Sequence, residues 1–196
     1  MFTGIIAAVG SITSSQATEG GQRLVIDAGG LDLSDVAIGD SIAVNGVCLT
    51  AALKGARGFE ADVSDATLRV TTGLAAPAEV NLEKSLRLAD RLGGHLVSGH
   101  VDGVGEVLRF DALGDNRLLA IRAPQELARY IARKGSVTVQ GVSLTVNAVK
   151  GADFEINLIP HTIAMTTLRS LQPGSPVNLE VDMMARYVER MLDVSR

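Results

Sequence analysis

The phrase VNGVCLT at residues 44–50 returns as VQGVSLT at residues 139–145. Self-similarity on this scale constrains the fold more than composition does, because a duplicated unit must close a core in each copy. A shift of 95 positions pairs Gly4, Val9 and Gly10 with Gly99, Val104 and Gly105, and Ser41 with Ser136. The same shift pairs Phe59–Glu60 with Phe154–Glu155, Thr67 with Thr162, and Thr71–Thr72 with Thr166–Thr167. Between positions 2–72 and 97–167, 19 of 71 residues are identical, and VNLE at 80–83 recurs at 177–180. The chain reads as two copies of one module. Each copy is too long for a solenoid repeat and long enough to fold around its own core.

The module is mostly strand. SIAVNGVCLTAAL and SVTVQGVSLTVNAV alternate or run apolar, with β-branched residues and a glycine at the turn. RLVIDA, FEADV, FEINLI and VNLEV read as further short strands. This spacing predicts an all-β fold of two small antiparallel barrels in tandem. A short helix is predicted over 124–133, with Pro124 in its first turn and Gly135 beyond its end; the matching LDLSDVAIGD is a weaker helix. The tail VDMMARYVERML sets Val181, Met184, Val188, Met191 and Leu192 on one helical stripe, opposite Arg186, Glu189 and Arg190. Such a helix either caps the second barrel or joins subunits.

Composition bounds the function. With 46% hydrophobic residues and 20% charged, the 196-residue chain can bury a core. A net charge of −4 argues against a nucleic-acid partner. No apolar run is long enough to span a bilayer, and MFTGIIAAVG lacks the basic flank of a signal peptide. The single cysteine forms neither an internal disulfide nor a multi-thiolate metal site. A cytoplasmic location is expected.

Two of the three histidines, His95 and His100, fall in GGHLVSGH. Five residues apart, they lie on opposite strand faces or well separated on a helix, so no metal site is expected. His100 begins the second module, where the first has Ile5, and reads as either a lone base or a satisfied turn residue. His161 reads as a surface turn residue. Cys48 and Ser143 hold the same place in the two copies, and each shares a strand face with a threonine, Thr50 or Thr145. Such a face suits hydrogen bonding to the edge of a flat heterocycle. No nucleophile elbow, P-loop or dinucleotide fingerprint appears.

MFTGII, the VNGVCLT and VQGVSLTVN pair, GGHLVSGHVDG, and LIPHT followed by TT together resemble riboflavin synthase from Met1 to the C-terminal helix. The resemblance implies two six-stranded Greek-key barrels at 1–95 and 96–180, with a trimerisation helix at 181–196. It implies dismutation of two molecules of 6,7-dimethyl-8-ribityllumazine by transfer of a four-carbon fragment, without cofactor, in a homotrimer. Lumazine synthase is the candidate further partner. The implied first pocket is lined by Gly4, Ile5 and Ile6, by Cys48, Leu49 and Thr50, and by Asp62, Val63, Ser64, Asp65, Ala66 and Thr67. Its second-module counterpart is lined by Gly99, His100 and Val101, by Ser143, Leu144 and Thr145, and by Asn157, Leu158, Ile159, Pro160, His161 and Thr162. Lys134 matches a position that reaches a ligand in a neighbouring chain. The hydroxyls of Thr50, Ser64, Thr67, Thr145 and Thr162 are expected to bind pteridine carbonyls and ribityl oxygens.

The residues expected to carry the chemistry are Ser41, Cys48, His100 and Ser143, with Phe2 closing the site. Ser41 recurs as Ser136, so a turn or strand role stands beside the catalytic one. One departure stands out: Gln140 replaces the Asp usual before Gly-[IV]-Ser-Leu-Thr in the second module. A carboxamide hydrogen-bonds but takes up no proton. The alternative reading is therefore a lumazine- or flavin-binding paralogue without synthase activity.

Overall fold

The computed structural model describes residues 1–193. The last three residues of the expected 181–196 helix lie outside the described residues. The first repeat contributes β1 (Ala8–Thr18), β2 (Gly21–Asp27), β3 (Ser41–Val44), β4 (Val47–Thr50), β5 (Leu53–Lys54), β6 (Gly58–Ser64) and β7 (Ala78–Lys84). The second contributes β8 (Gly103–Leu113), β9 (Asn116–Arg122), β10 (Ser136–Val139), β11 (Val142–Lys150), β12 (Asp153–Leu158) and β13 (Pro176–Val181). Three helices follow strands: α1 (Asp65–Val70), α2 (Pro160–Met165) and α3 (Met183–Asp193).

The second repeat is a closed antiparallel barrel in the order β10-β11-β12-β9-β8-β13. The first repeat has the equivalent order, β4-β3-β7-β1-β2-β6-β5. Its β4 and β5 are two pieces of what is one strand, β11, in the second. The break falls at Ala51–Ala52, where Ala51 N bonds the Asp40 carbonyl and Ala52 N bonds the Glu60 carbonyl. Strand alternation fills both interiors. Val47 and Leu49 point into the first core while Cys48 and Thr50 point out; Val142, Leu144 and Val146 repeat this inward pattern in the second. Phe59 and Phe154 anchor the two cores from equivalent positions. Each such buried side chain stabilises the fold by about 1.5–3 kcal/mol.

The helix expected over 124–133 is instead a single 3-10 turn at Ala128–Tyr130. Leu127 and Ile131 turn into the core, but the chain must then rise into β10, held by Lys134 N on the Val146 carbonyl. So short a segment gains too little from helical bonds to resist that constraint. Its first-repeat counterpart, LDLSDVAIGD, holds no helix. Two helices absent from the sequence reading, α1 and α2, bury no side chain and so show no apolar period. Their signals are local: Ser64 Oγ caps α1 by accepting from Thr67 N, and Pro160 opens α2.

The repeated glycine turn lies on a seam between the barrels. Gly46 and Gly141 stand back to back at φ +82° and +79°, and a Cβ on either would come within 2.7 Å of the other's amide nitrogen. Asn45 and Gln140 precede them in the left-handed region, at φ +48° and +51°. Around this pair, Asn178 Nδ2 donates to the Asn45 carbonyl at 3.0 Å and Asn81 Nδ2 to the Gln140 carbonyl at 2.9 Å. Thr72 N and Thr167 N donate to Asn178 Oδ1 and Asn81 Oδ1, at 2.7 and 2.8 Å. Each asparagine comes from one VNLE phrase and serves the other barrel. A pseudo-twofold axis relates the halves.

Helix α3 presents its polar side to its own chain. Arg186 donates to the His100 carbonyl at 3.2 Å and to Asp102 Oδ2 at 2.8 Å. Glu189 accepts the Tyr130 hydroxyl and pairs with Arg129 at 2.7 Å. The apolar residues Met184, Tyr187 and Val188 are left more than half exposed. The helix therefore does not bury its stripe on the second barrel. Among the described residues no helix is long and apolar enough to cross a membrane.

Candidate functional site

The outward faces of β4 and β11 are the floors of two candidate clefts, equivalent in the two repeats. In the first, Ser41 pairs with Thr50 and Ala43 with Cys48 across β3 and β4. In the second, Ser136 pairs with Thr145 and Thr138 with Ser143 across β10 and β11. Opposed residues of an antiparallel pair share a face, so Ser41 stands beside Thr50. Its backbone is also in use, since its carbonyl accepts from Ser85 N.

The wall of each cleft comes from the other repeat. Gly4 O accepts Ser143 N, and Gly99 O accepts Cys48 N, both at 2.8 Å. Phe2 and Val97 exchange backbone hydrogen bonds at 2.7 and 3.1 Å where the two segments cross. Ile6 then packs on the second core and Val101 on the first. The grouping by repeat is corrected accordingly: Gly4, Ile5 and Ile6 stand at the second-repeat cleft, and Gly99, His100 and Val101 at the first. No residue pattern along the chain encodes this exchange, because a β-module looks the same whether its leading segment stays or crosses. Gly4 and Gly99 are required at the crossing. They sit at φ +76° and +79°, and a Cβ would come within 2.5 Å of Ser143 Cβ or 2.6 Å of Cys48 Cβ.

Two buried carboxylates brace the crossed segments. Glu83 Oε1 accepts Thr3 N and Thr3 Oγ1 at 2.7 and 2.6 Å, and its Oε2 accepts Gly4 N at 3.0 Å. Glu180 does the same for Ser98 N, Ser98 Oγ and Gly99 N, at 2.8, 2.5 and 2.9 Å. Burial pushes the Glu83 carboxyl above the ordinary glutamate value, against the pull of its three donors. Both glutamates end the recurring VNLE phrase. The repeat pointed to them, but the sequence reading gave them no role.

The remaining candidates divide by orientation. Leu49, Val63, Leu144 and Leu158 face the barrel interiors, leaving only their backbone to the clefts. Phe2 has no exposed surface and lies under Cys48 with Ala43 and Val97. In the single chain it lies beneath the candidate cleft. Asp62 is held by Arg23 through two 2.7 Å bonds, and that guanidinium keeps its carboxyl below the usual range. Ser64, Asp65, Ala66 and Thr67 form the entry to α1, where the Ser64 and Thr67 hydroxyls are 3.1 Å apart; β6 brings them beside β4. Asn157, Ile159, Pro160 and His161 are exposed and Thr162 half-buried at the equivalent entry to α2. His100 is exposed on the segment that Arg186 clasps.

Lys134 is exposed at φ +67°, where the first repeat has Gly39 at φ +98°. Beside Ser143 lies a residue the sequence reading treated only as half of a metal pair: His95 Nδ1 is 2.7 Å from Ser143 Oγ. Burial lowers the His95 pKa, while Asp182 and Glu180 oppose that shift. Among the described residues no cluster of potential metal ligands occurs.

Comparison with known proteins places this geometry. The lumazine binding domain family matches residues 3–85 and again 98–182. Riboflavin synthase of Photobacterium phosphoreum is 46% identical over 198 residues, spanning 100% of this chain and 91% of that one. Riboflavin synthase of Mycobacterium bovis is 46% identical over 199 residues, spanning 98% of each. The crystal structure of LumP complexed with 6,7-dimethyl-8-(1'-D-ribityl) lumazine superposes with a TM-score of 0.82 at 27% identity, covering 92% of this chain and 99% of that one.

Proposed function

Because this chain belongs to the riboflavin synthase family, with two lumazine-binding repeats, we propose that its two clefts hold the two substrate molecules of that reaction. The reaction is a transfer. One 6,7-dimethyl-8-ribityllumazine gives a four-carbon fragment to another, yielding riboflavin and 5-amino-6-(D-ribitylamino)uracil. The observation that carries the assignment of the clefts is their chemical pairing. Each sets a nucleophilic or hydroxyl group, Cys48 or Ser143, two residues before a threonine on an outward face, under a glycine from the other repeat.

The chemistry asks little of the protein beyond placement. The C7 methyl of the lumazine is acidic because its carbanion delocalises into the ring, so a polar group at the ring edge suffices to move the proton. Holding two such rings together converts a bimolecular encounter into an intramolecular one, an effect worth up to ~7–11 kcal/mol. Thr50, Ser64 and Thr67 in the first cleft, and Thr145 and Thr162 in the second, bind ring carbonyls and ribityl oxygens. Cys48, Ser143, Ser41 and His100 stand at the reacting edge.

Each active site forms between subunits, the first cleft of one facing the second cleft of its neighbour in a homotrimer joined by α3. The support is the helix itself, which exposes Met184, Tyr187 and Val188 while spending its charges on its own chain. Lys134 reaches into a neighbour's cleft. A non-glycine residue in the left-handed region costs about 1–2 kcal/mol, and glycine fills the matching place in the first repeat. Lys134→Gly is therefore expected to leave stability unchanged or raise it by up to ~1 kcal/mol, while turnover falls. Thermal melting and initial rates check both.

Purified protein incubated with 6,7-dimethyl-8-ribityllumazine is expected to develop flavin fluorescence; binding without turnover sinks the enzymatic reading. The binding-only alternative is not favoured by relatives 46% identical over the full chain that are riboflavin synthases. Gln140 gives that alternative no support. Its side chain belongs to the seam, where Oε1 accepts Asn178 N at 3.2 Å, as Asn45 Oδ1 accepts Asn81 N at 2.8 Å. Gln140→Asp keeps that acceptor, so its rate is expected to stay within about twofold of the parent.

The reaction suits the cytoplasm, and lumazine synthase, which supplies the substrate, is the further partner consistent with it.

A further inference from the structure

Where the β1–β2 hairpin meets β6, a cavity of about 430 Å³ is lined by the hairpin turn with Glu19 and by Arg23, Asp62 and Ser64. It lies beside the first cleft, because β6 packs against β4 and Ser64 also opens α1. Arg23 and Asp62 stand opposite each other on β2 and β6. Arg23 Nε donates to Asp62 Oδ1 and Nη2 to Oδ2, both at 2.7 Å. Two parallel bonds fix the plane of the carboxylate as a single bond would not. Gly21 lets the hairpin lie this close, since a Cβ there would come within 2.0 Å of the Val63 carbonyl. The equivalent cross-strand pair of the second repeat is Leu118 with Asn157, which carries no charge.

Resting on the functional reading above, we propose that Arg23 is a positioning residue for Asp62, and that the pair makes this cavity a subsite for the uncharged polyol tail of the lumazine, closed to a phosphorylated tail. The flat ring takes the strand face at Cys48 and Thr50. The ribityl chain, with hydroxyls along its length, fits the polar depression beyond it. With its plane fixed, Asp62 keeps lone pairs on both oxygens for ribityl hydroxyls. Arg23 commits two of its N–H groups to Asp62 and has others for a ribityl oxygen. Glu19 and Asp62 together outweigh Arg23 in the lining, so a terminal phosphate meets net repulsion at distances shorter than the screening length.

The pair adds little to the fold itself, since its side chains are 40% and 54% exposed. The hydrogen bonds from Arg23 hold the Asp62 carboxyl below its usual range, which keeps it ionised. Arg122 and Asp153 form the same two-bond pair across β9 and β12, at 2.8 and 3.0 Å. They lie at the other end of β12 from Asn157, and their loss serves as the control for losing such a pair alone.

The test compares the full chain with Arg23→Ala, Arg23→Lys, Asp62→Asn and Arg122→Ala. One readout is steady-state turnover of 6,7-dimethyl-8-ribityllumazine. The other is affinity for riboflavin against riboflavin 5'-phosphate, read by a single tryptophan introduced at the first cleft. The parent is expected to bind riboflavin at least about tenfold more tightly than its phosphate. Arg23→Ala is expected to raise KM about fivefold or more with kcat within about twofold. Arg23→Lys, which keeps the charge but not the fork, is expected to recover part of that loss. Asp62→Asn is expected to narrow the preference for riboflavin at least about threefold, because it removes the charge that opposes phosphate. Arg122→Ala is expected to change neither readout by more than about twofold. Equal affinity of the parent for the two flavins, a KM unmoved in Arg23→Ala, or a preference unmoved in Asp62→Asn each overturns the assignment, as does an Arg122→Ala variant that matches Arg23→Ala. A parent chain that forms no flavin counts against the functional reading; an active parent indifferent to Arg23 and Asp62 counts against this subsite only.

Discussion

If the two clefts hold lumazine as proposed, replacing Glu83 with Gln is expected to weaken binding in the second-repeat cleft, and replacing Glu180 with Gln to weaken it in the first. The effect crosses the barrels because each glutamate braces the segment that walls the opposite cleft. Glu83 holds Thr3 and Gly4, and the Gly4 carbonyl carries Ser143 N. Glu180 holds Ser98 and Gly99, and the Gly99 carbonyl carries Cys48 N. A carboxamide keeps one acceptor but turns an N–H toward a backbone N–H, leaving a buried donor unpaired at a cost of about 1–3 kcal/mol. An affinity loss on the order of tenfold at one cleft is expected from that energy. Titrating each variant with 6,7-dimethyl-8-ribityllumazine, read by the fluorescence of a single tryptophan introduced at one cleft or the other, resolves the two. Equal weakening of both clefts contradicts the crossed arrangement.

Val188→Asp in α3 is expected to convert the proposed trimer to monomers and to lower turnover at least about a hundredfold. Val188 is 54% exposed in the single chain, so a charge there costs the isolated subunit little, within about 0.5 kcal/mol. Buried at a subunit interface, the same carboxylate meets no counter-charge and is expelled. Light scattering gives the mass and flavin formation gives the rate. A variant that stays trimeric and active removes α3 from the interface. A parent chain that is monomeric at full activity removes the composite site.

The outward faces of the candidate site were readable in advance because strand alternation is a local rule. The alternation in VCLT and VSLT puts Cys48, Thr50, Ser143 and Thr145 outward without any tertiary information, and the structure has them there. The recurring VNLE phrase likewise announced a shared role, although nothing in it said that Asn81 and Asn178 serve the seam and Glu83 and Glu180 the crossing. The full burial of Phe2 was not legible, because it depends on what crosses beneath a strand. Helices α1 and α2 were missed because they bury no side chain fully, Leu68 and Ile163 only in part, and leave no periodic trace. His95 looked idle beside His100, since their five-residue spacing spoke only to a metal.

The amino-acid order alone determined the duplication, the all-β character, the outward pairs and the terminal helix. The duplication follows from the 95-residue shift, and the others from short-range periodicity. Only the tertiary structure decided that the leading segments exchange barrels, that two glutamates brace the exchange, and that His95 meets Ser143. Those facts depend on contacts between residues about 50 to 140 positions apart, where closing the chain costs nearly the same entropy for either partner. The choice then rests on which buried donors find acceptors.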